Sequence, residues 1–318
     1  MLRQALVGLL LTVSVWAQGA RHFTFHYGFT VKDVPAGQKV RVWIPVAHSD
    51  DFQEVKIVSA TGDLSLKKNR ESKYGNEMYY GEESKASKAE FHFEVVYEVV
   101  RHERVVLGRS IPRLSDFTLD KKIAKRDTAA DTQLPVTGAP AELAAKVTAD
   151  KKTPLEKARA IYEYVLENMT YDQPGHGDAL NALQTKKGDC TDFNSLFMAM
   201  ARSQGIAARF SIGFALPADK AAGEIAEYHC WAEFFEPQHG WVPLDLVEGL
   251  KQEVKRDYFF GAVDDNRVEF IMGRDLKLNP AQDEEALNYF VYPYVEVGGK
   301  KYENISLAFS FTDASGTN

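Results

Sequence analysis

The sequence predicts an α+β fold, with an N-terminal antiparallel β-domain followed by a core of helices and short strands. Three observations carry that prediction. Apolar residues alternate with polar ones through the first part of the 318-residue chain; a capped amphipathic helix opens the middle; and short aromatic or β-branched runs follow it.

Residues Met1 to Ala17 read MLRQALVGLLLTVSVWA. One basic residue, Arg3, precedes an apolar run from Ala5 to Val15, and small residues flank a cut after Ala17. That is the pattern of a signal peptide. The run falls short of the roughly 20 residues of a membrane-spanning helix. An exported protein is therefore expected, periplasmic or secreted after cleavage and not membrane-embedded.

Residues 18–112 form the expected β-domain. Phe23, Phe25, Tyr27, Phe29 and Val31 alternate with mostly polar residues, as do Val40, Val42 and Ile44, and Phe91, Phe93, Val95, Tyr97 and Val99. Each run has one apolar face, which suits a β-sandwich. Lys67 to Ala89 is rich in Lys, Glu, Ser and Gly and reads as an exposed hairpin or loop. The pattern changes near Pro112, and Ser110 to Pro140 reads as a connecting segment with little periodicity.

Residues 113–275 are the expected catalytic domain. Thr153-Pro154-Leu155-Glu156 is a capping-box start with Pro at the first helical position, and Leu155, Ala158, Tyr162, Val165, Leu166 and Met169 share one face. A second helix begins near Asp189, buries Phe193, Leu196, Phe197 and Met200, and stops at Gly205. Arg209 to Phe214, Tyr228 to Phe235 and Trp241 to Leu246 read as strands. The last two are joined by a hairpin loop from Glu236 to Gly240. Residues 276–318 return to strand character, with Tyr289 to Tyr292, Tyr294 to Val297 and Leu307 to Phe311, and are expected to extend the N-terminal β-domain.

Composition narrows the function. The formal charge is -7, with no basic stripe, so neither nucleic acid nor an anionic membrane is an expected partner. Two cysteines, Cys190 and Cys230, are too few for a disulfide scaffold. No histidine pair has metal-ligand spacing, so neither a metal nor a cofactor is expected.

The chemistry sits where the elements begin. Cys190 falls in the first turn of its helix with Asp189 as candidate N-cap, and the helix dipole together with a nearby imidazolium would favour a thiolate. The Cys190 backbone N–H is placed to serve an oxyanion hole. His229 and Asp245 lie on the two arms of the hairpin. A five-residue loop sets Phe235 opposite Trp241 and leaves His229 and Asp245 as diagonal neighbours on one face, with Cys230 on the other. A Cys190–Cys230 disulfide is incompatible with that triad, and Cys230 reads as core.

Lys187-Gly188-Asp189-Cys190-Thr191-Asp192-Phe193, continuing to Gly205-Ile206-Ala207-Ala208-Arg209 and Gly213-Phe214, resembles the nucleophile segment of the bacterial transglutaminase-like superfamily. Tyr228-His229-Cys230-Trp231-Ala232-Glu233-Phe234 resembles its histidine strand, and Gly240-Trp241-Val242-Pro243-Leu244-Asp245 its aspartate strand. The resemblance spans at least Pro154 to Asp245 and implies a papain-like core, a helix-borne cysteine packed on an antiparallel sheet, and a thioester intermediate. Ala207 stands where the family usually has Pro, and Asn194 where many relatives carry His.

The implied triad is Cys190, His229 and Asp245. Gln184, six residues before the cysteine, is a candidate oxyanion donor; Asn194 and Trp231 are candidate site-lining residues. The expected reaction is cysteine-dependent acyl transfer on a protein or peptide amide, with hydrolysis as the leading outcome and transglutaminase-type cross-linking as the alternative. A non-catalytic binding or scaffold module of the cell envelope is the alternative of another class.

Overall fold

A computed structural model describes residues 19–108 and 116–314. The signal-peptide segment and the boundary near Pro112 lie outside the described residues. The chain begins with β1 (Ala20–Val31), β2 (Val40–Val46), β3 (Gln53–Gly62), β4 (Lys67–Arg70), β5 (Glu77–Glu83), β6 (Phe91–His102) and β7 (Arg104–Val105). The core follows as α1 (Lys121–Thr128), α2 (Ala139–Val147), α3 (Pro154–Asn168), β8 (Thr170–Tyr171), α4 (Ala179–Thr185), β9 (Lys187–Gly188) and α5 (Cys190–Ser203). Then come β10 (Ala208–Ala215), β11 (Ala222–Ile225), β12 (His229–Glu236), β13 (Gly240–Leu244), α6 (Leu246–Lys251), β14 (Ala262–Val263) and β15 (Arg267–Met272). The last strands are β16 (Tyr294–Val297), β17 (Lys300–Lys301) and β18 (Ile305–Asp313). The architecture is α+β, with a papain-like arrangement of a helix-borne cysteine on an antiparallel sheet.

The N-terminal strands do not close their sheets alone. One five-stranded sheet runs β11-β18-β1-β6-β3 and another β17-β16-β2-β5-β4, so strands from the core and the C-terminal stretch complete both. The inward face of β1 explains this need. Phe25, Tyr27, Phe29 and Val31 are buried, and an apolar sheet face must be covered to gain from the hydrophobic effect. Tyr27 packs on Phe309 of β18 with ring centroids 4.7 Å apart, and Phe25 lies 5.1 Å from Phe214 of β10. Phe214 meets Phe270 of β15 at 5.3 Å. These aromatic contacts, each contributing about 0.5–1.5 kcal/mol beyond area burial, join the β-sheets and the core into one hydrophobic interior.

The core sheet has the order β13-β12-β10-β15, and α5 packs on one of its faces. Cys230, Ala232 and Phe234 point to that side, where Phe197 of α5 meets Phe234. The period of two sends His229, Trp231 and Glu233 to the other face. The helix starts behave as their sequences dictate. Thr153 and Glu156 form both halves of the capping box of α3, and Gly205 follows α5 at φ 75°, a conformation that favours glycine.

Three regional expectations are refined. Lys67 to Ala89 does hold a hairpin, β4 paired with β5, but it is not all exposed: β5 is an interior strand with Met78 buried, and its glycine and glutamates mask the alternation. Within Ser110 to Pro140, α1 forms on the strength of the Asp120 N-cap, whose side chain accepts from Lys122 and Ile123. Tyr289 to Tyr292 is irregular rather than a strand. Its backbone is held instead by the Tyr27 hydroxyl, which donates to the Val291 carbonyl at 2.9 Å.

Candidate active site

The tip of α5 is built by two buried carboxylates. Asp189 Oδ1 accepts from the Thr191 N–H at 2.7 Å and from its hydroxyl at 2.6 Å. Asp192 reaches back to the Asp189 N–H at 3.1 Å, completing a capping box. Asp192 also accepts the His176 and Asp178 N–H groups, which ties the 174–178 loop to the helix start. Both carboxylates are thus engaged by N–H or O–H donors. Among the described residues, no acceptor meets the Cys190 backbone N–H, which stays free at the positive end of the helix.

Three expected residues come together here. His229 begins β12, and its Nε2 lies 2.7 Å from Asp245 Oδ2. Nδ1 is left free of the carboxylate, and the imidazole lies close enough to Cys190 for each group to shift the other's titration. The expected register holds, with Phe235 opposite Trp241. The route to the carboxylate differs, however. β13 ends at Leu244, and Asp245 is the N-cap of α6, its Oδ1 accepting the Glu248 N–H at 3.0 Å. Asp245 is therefore oriented by a helix start rather than by strand pairing.

Two further residues enter the site. Arg267 of β15, buried, donates from Nη1 to the same Asp245 Oδ2 at 2.8 Å and binds Asp264. Cys230 lies close enough to Cys190 for the two thiols to shift each other's titration. The strand alternation does send Cys230 to the opposite face from His229. Because α5 meets β12 at the strand's first two residues, its tip sulfur lies near both. The two cysteines are free thiols.

The electrostatics follow from these partners. Burial pushes the Cys190 thiol up, but the hydrogen bonds from Cys230 and His229 and the imidazolium charge outweigh it and bring it to about 7. Burial pushes His229 down, and the Asp245 charge and hydrogen bond, with those of Cys190, raise it to about 10. Burial opposes ionisation of Asp245, yet His229 and Arg267 hold it well below the usual carboxylate range. Between about pH 7 and about pH 10 the favoured arrangement is a thiolate beside an imidazolium that is paired with a carboxylate.

The remaining candidates fall on both sides. Asn194 donates from Nδ2 to the Cys190 carbonyl at 2.8 Å and to Cys230 Sγ at 3.4 Å, so it braces the two cysteines from below. Trp231 is 1% exposed, which corrects its expected place on a cleft wall. It backs the site instead, 6.2 Å from the His229 ring and with the Arg267 guanidinium 4.9 Å over its own. Gln184 is exposed on α4, and its expected place beside the acyl oxygen has no support there, since a six-residue spacing says nothing about which way a short helix turns. Tyrosines pack beside the helix tip instead. Tyr228 donates to Asp189 Oδ2 at 2.9 Å, and Tyr289 and Tyr292 pack against its ring, tilted and edge-on, at 5.4 and 5.5 Å.

Comparison with known proteins follows the same lines. Residues 141–246 match the transglutaminase-like superfamily. An uncharacterised protein of Haemophilus influenzae is 29% identical over 320 residues, covering 87% of this chain and 85% of that protein. The uncharacterised protein YebA of Bacillus subtilis is 30% identical over 126 residues, covering 34% of this chain and 17% of YebA. A solved structure from Cytophaga hutchinsonii, named as a candidate cysteine protease, superposes with a TM-score of 0.62 at 16% identity, over 94% of this chain and 93% of that one; it shares the fold. Residues 141–246 thus carry a transglutaminase-like core domain.

Proposed function

We propose that the protein is a cysteine-dependent acyl-transfer enzyme acting on a protein or peptide amide, exported to the periplasm or beyond. The observation that carries this reading is the line of Cys190, His229 and Asp245, with its 2.7 Å imidazole–carboxylate contact. The Cys190 thiolate attacks the amide carbonyl, and the free Cys190 N–H at the helix tip faces the oxyanion that develops. The His229 imidazolium gives its proton to the leaving amine, and a thioester remains. Asp245 holds the ring in the orientation that both proton transfers need.

Hydrolysis is the favoured outcome. Cys190 and His229 are 4% and 6% exposed, and a thioester behind so narrow an opening is reached by water more readily than by a lysine of a second folded protein. Neutral His229 then takes a proton from that water, and the acid product leaves. The test compares wild type with Cys190→Ala on a peptide mixture containing a primary amine, with cleavage, ammonia release and amine incorporation read by mass spectrometry. Cleavage or deamidation by the wild type alone is expected. Amine incorporation as the main product would transfer the assignment to cross-linking, and identical product lists from the two proteins would leave the fold serving as a binding or scaffold module.

A further inference from the structure

We propose that the cleft between the N-terminal β-sheets and the outer face of the core sheet is a second binding site, and that it takes a primary ammonium group. The cleft has a volume of about 1010 Å³, and Cys190 is not among the residues lining it. Six carboxylates line it against two guanidiniums, those of Arg104 and Arg209. Both guanidiniums are committed to Glu233, at 2.9 and 2.7 Å, and lie over the Phe52 and Trp241 rings at 4.5 and 4.0 Å. Asp50 and Asp120 are committed too, each accepting two backbone N–H groups of its own loop.

Three carboxylates remain. Asp51 and Asp116 are exposed, whereas Glu269 is 4% exposed. Among the described residues the Glu269 carboxyl makes no hydrogen bond or ion pair. Only its backbone is paired, its N–H and C=O both meeting the Gln53 amide at 2.9 Å. Arg101, buried nearby, donates to Gln53 Oε1 instead. With no donor among those residues, the carboxyl opens to the cleft it lines, and burial, with Asp50 and Glu233 close by, outweighs the Arg101 and Arg209 charges and raises it to about 7. A cation carrying several N–H donors would complete it.

An ammonium group supplies both, with three donors for one deep carboxylate and a neighbourhood of like-signed charge. An inorganic anion would meet that same negative field with both guanidiniums already taken. A calcium ion would want about six or more oxygen ligands, and a single deep carboxylate does not provide them. Lysine side chains and peptide amino termini share the ammonium chemistry, and the test separates them.

Isothermal titration calorimetry of the chain from residue 18 would use three probes: Nα-acetyl-lysinamide, with a free side-chain amine; Nε-acetyl-lysinamide, with a free α-amine; and the diacetylated compound as neutral control. One of the first two is expected to bind and the control is not. Glu269→Gln should weaken binding about tenfold or more, as loss of a charge-assisted hydrogen bond predicts, without lowering the melting temperature, because Glu269 bonds nothing in the free protein. Asp51→Asn, at an exposed position, is a second variant that retains the fold and should weaken binding by a smaller factor. Cys190→Ala should bind as the wild type does, which keeps this site separate from the acyl-transfer chemistry. Absence of binding by either amine at millimolar concentration, or affinity unchanged in both acidic variants, would overturn the proposal.

Discussion

Replacing His229 with Ala tests the electrostatics of the site most directly. In the wild type the Cys190 thiol falls from its ordinary 9.0 to about 7, which corresponds to about 2.7 kcal/mol in favour of the thiolate at about 1.4 kcal/mol per pKa unit. At pH 7 about half of the thiol is ionised, against about one part in a hundred for a thiol titrating at 9, a roughly 50-fold difference in the reactive form. A more basic thiolate is intrinsically the better nucleophile, and this returns roughly tenfold of the rate. The net fall in alkylation by iodoacetamide at pH 7 is then about fivefold, and the midpoint of the pH profile is the sharper readout. It should move from about 7 to above 9 in His229→Ala, because burial of Cys190 is no longer opposed by the imidazolium. Cys230→Ala removes one donor and leaves the charge, so its midpoint should lie between those two. Catalysis should follow the same titrations: kcat/KM rises as Cys190 ionises near 7 and falls as His229 loses its proton near 10. An alkylation midpoint that stays near 7 without His229 would refute the thiolate–imidazolium pair.

Other consequences concern the groups that hold the triad in place. Arg267→Met breaks a buried ion pair with Asp245 and Asp264, and should lower the unfolding free energy in urea by about 3–5 kcal/mol. It should also move the upper limb of the activity profile above 10, since Asp245 is then shared with no second cation; Arg267→Lys should restore part of the stability. An unchanged denaturation curve and unchanged limb would contradict the shared-carboxylate geometry. Gly213 sits opposite His229 in the β10–β12 register, and a Cβ there would clash with the Val268 carbonyl oxygen. Gly213→Ala should cost about 1–3 kcal/mol or more and impair catalysis through the displaced His229 strand, as read by thermal melting and kcat; a wild-type melting curve would show that the sheet yields at no cost.

What was legible in the sequence is what depends on near neighbours. The Thr153–Glu156 capping box, the Asp189 cap of α5, the stop at Gly205 and the Phe235–Trp241 register each need only a few consecutive residues, and each is found as read. Cys190, His229 and Asp245 could be singled out because each stands in a segment with its own pattern. Arg267 was not given a role, since no local rule says that a residue 22 positions on will share Asp245. Cys230 is buried in the core as read, but its nearness to Cys190 was not legible: alternation assigns it a face of β12 and not where along the strand the helix tip crosses. Tyr289 and Tyr292 looked like strand residues by composition, and only the packing around Tyr228 shows them beside the site. Glu269 carries no sequence signal at all, because a glutamate on a strand ordinarily faces water.

β1 lies between β18 and β6, with Phe23 paired to Asp313 on one side and to Val99 on the other. A ribosome making this protein therefore finishes the first sheet last. Until the stretch beyond residue 305 has been made, the aromatic surface of β1 has no neighbour on one flank and the tyrosine-bearing segment at 289–292 has nothing to anchor its far end. A chain stopped before residue 305 would carry Cys190, His229, Asp245 and Arg267 on a core sheet whose four strands are already present, and would still lack the partner of β1. Synthesis order thus leaves the closing of the outer sheet until after the core sheet has been made.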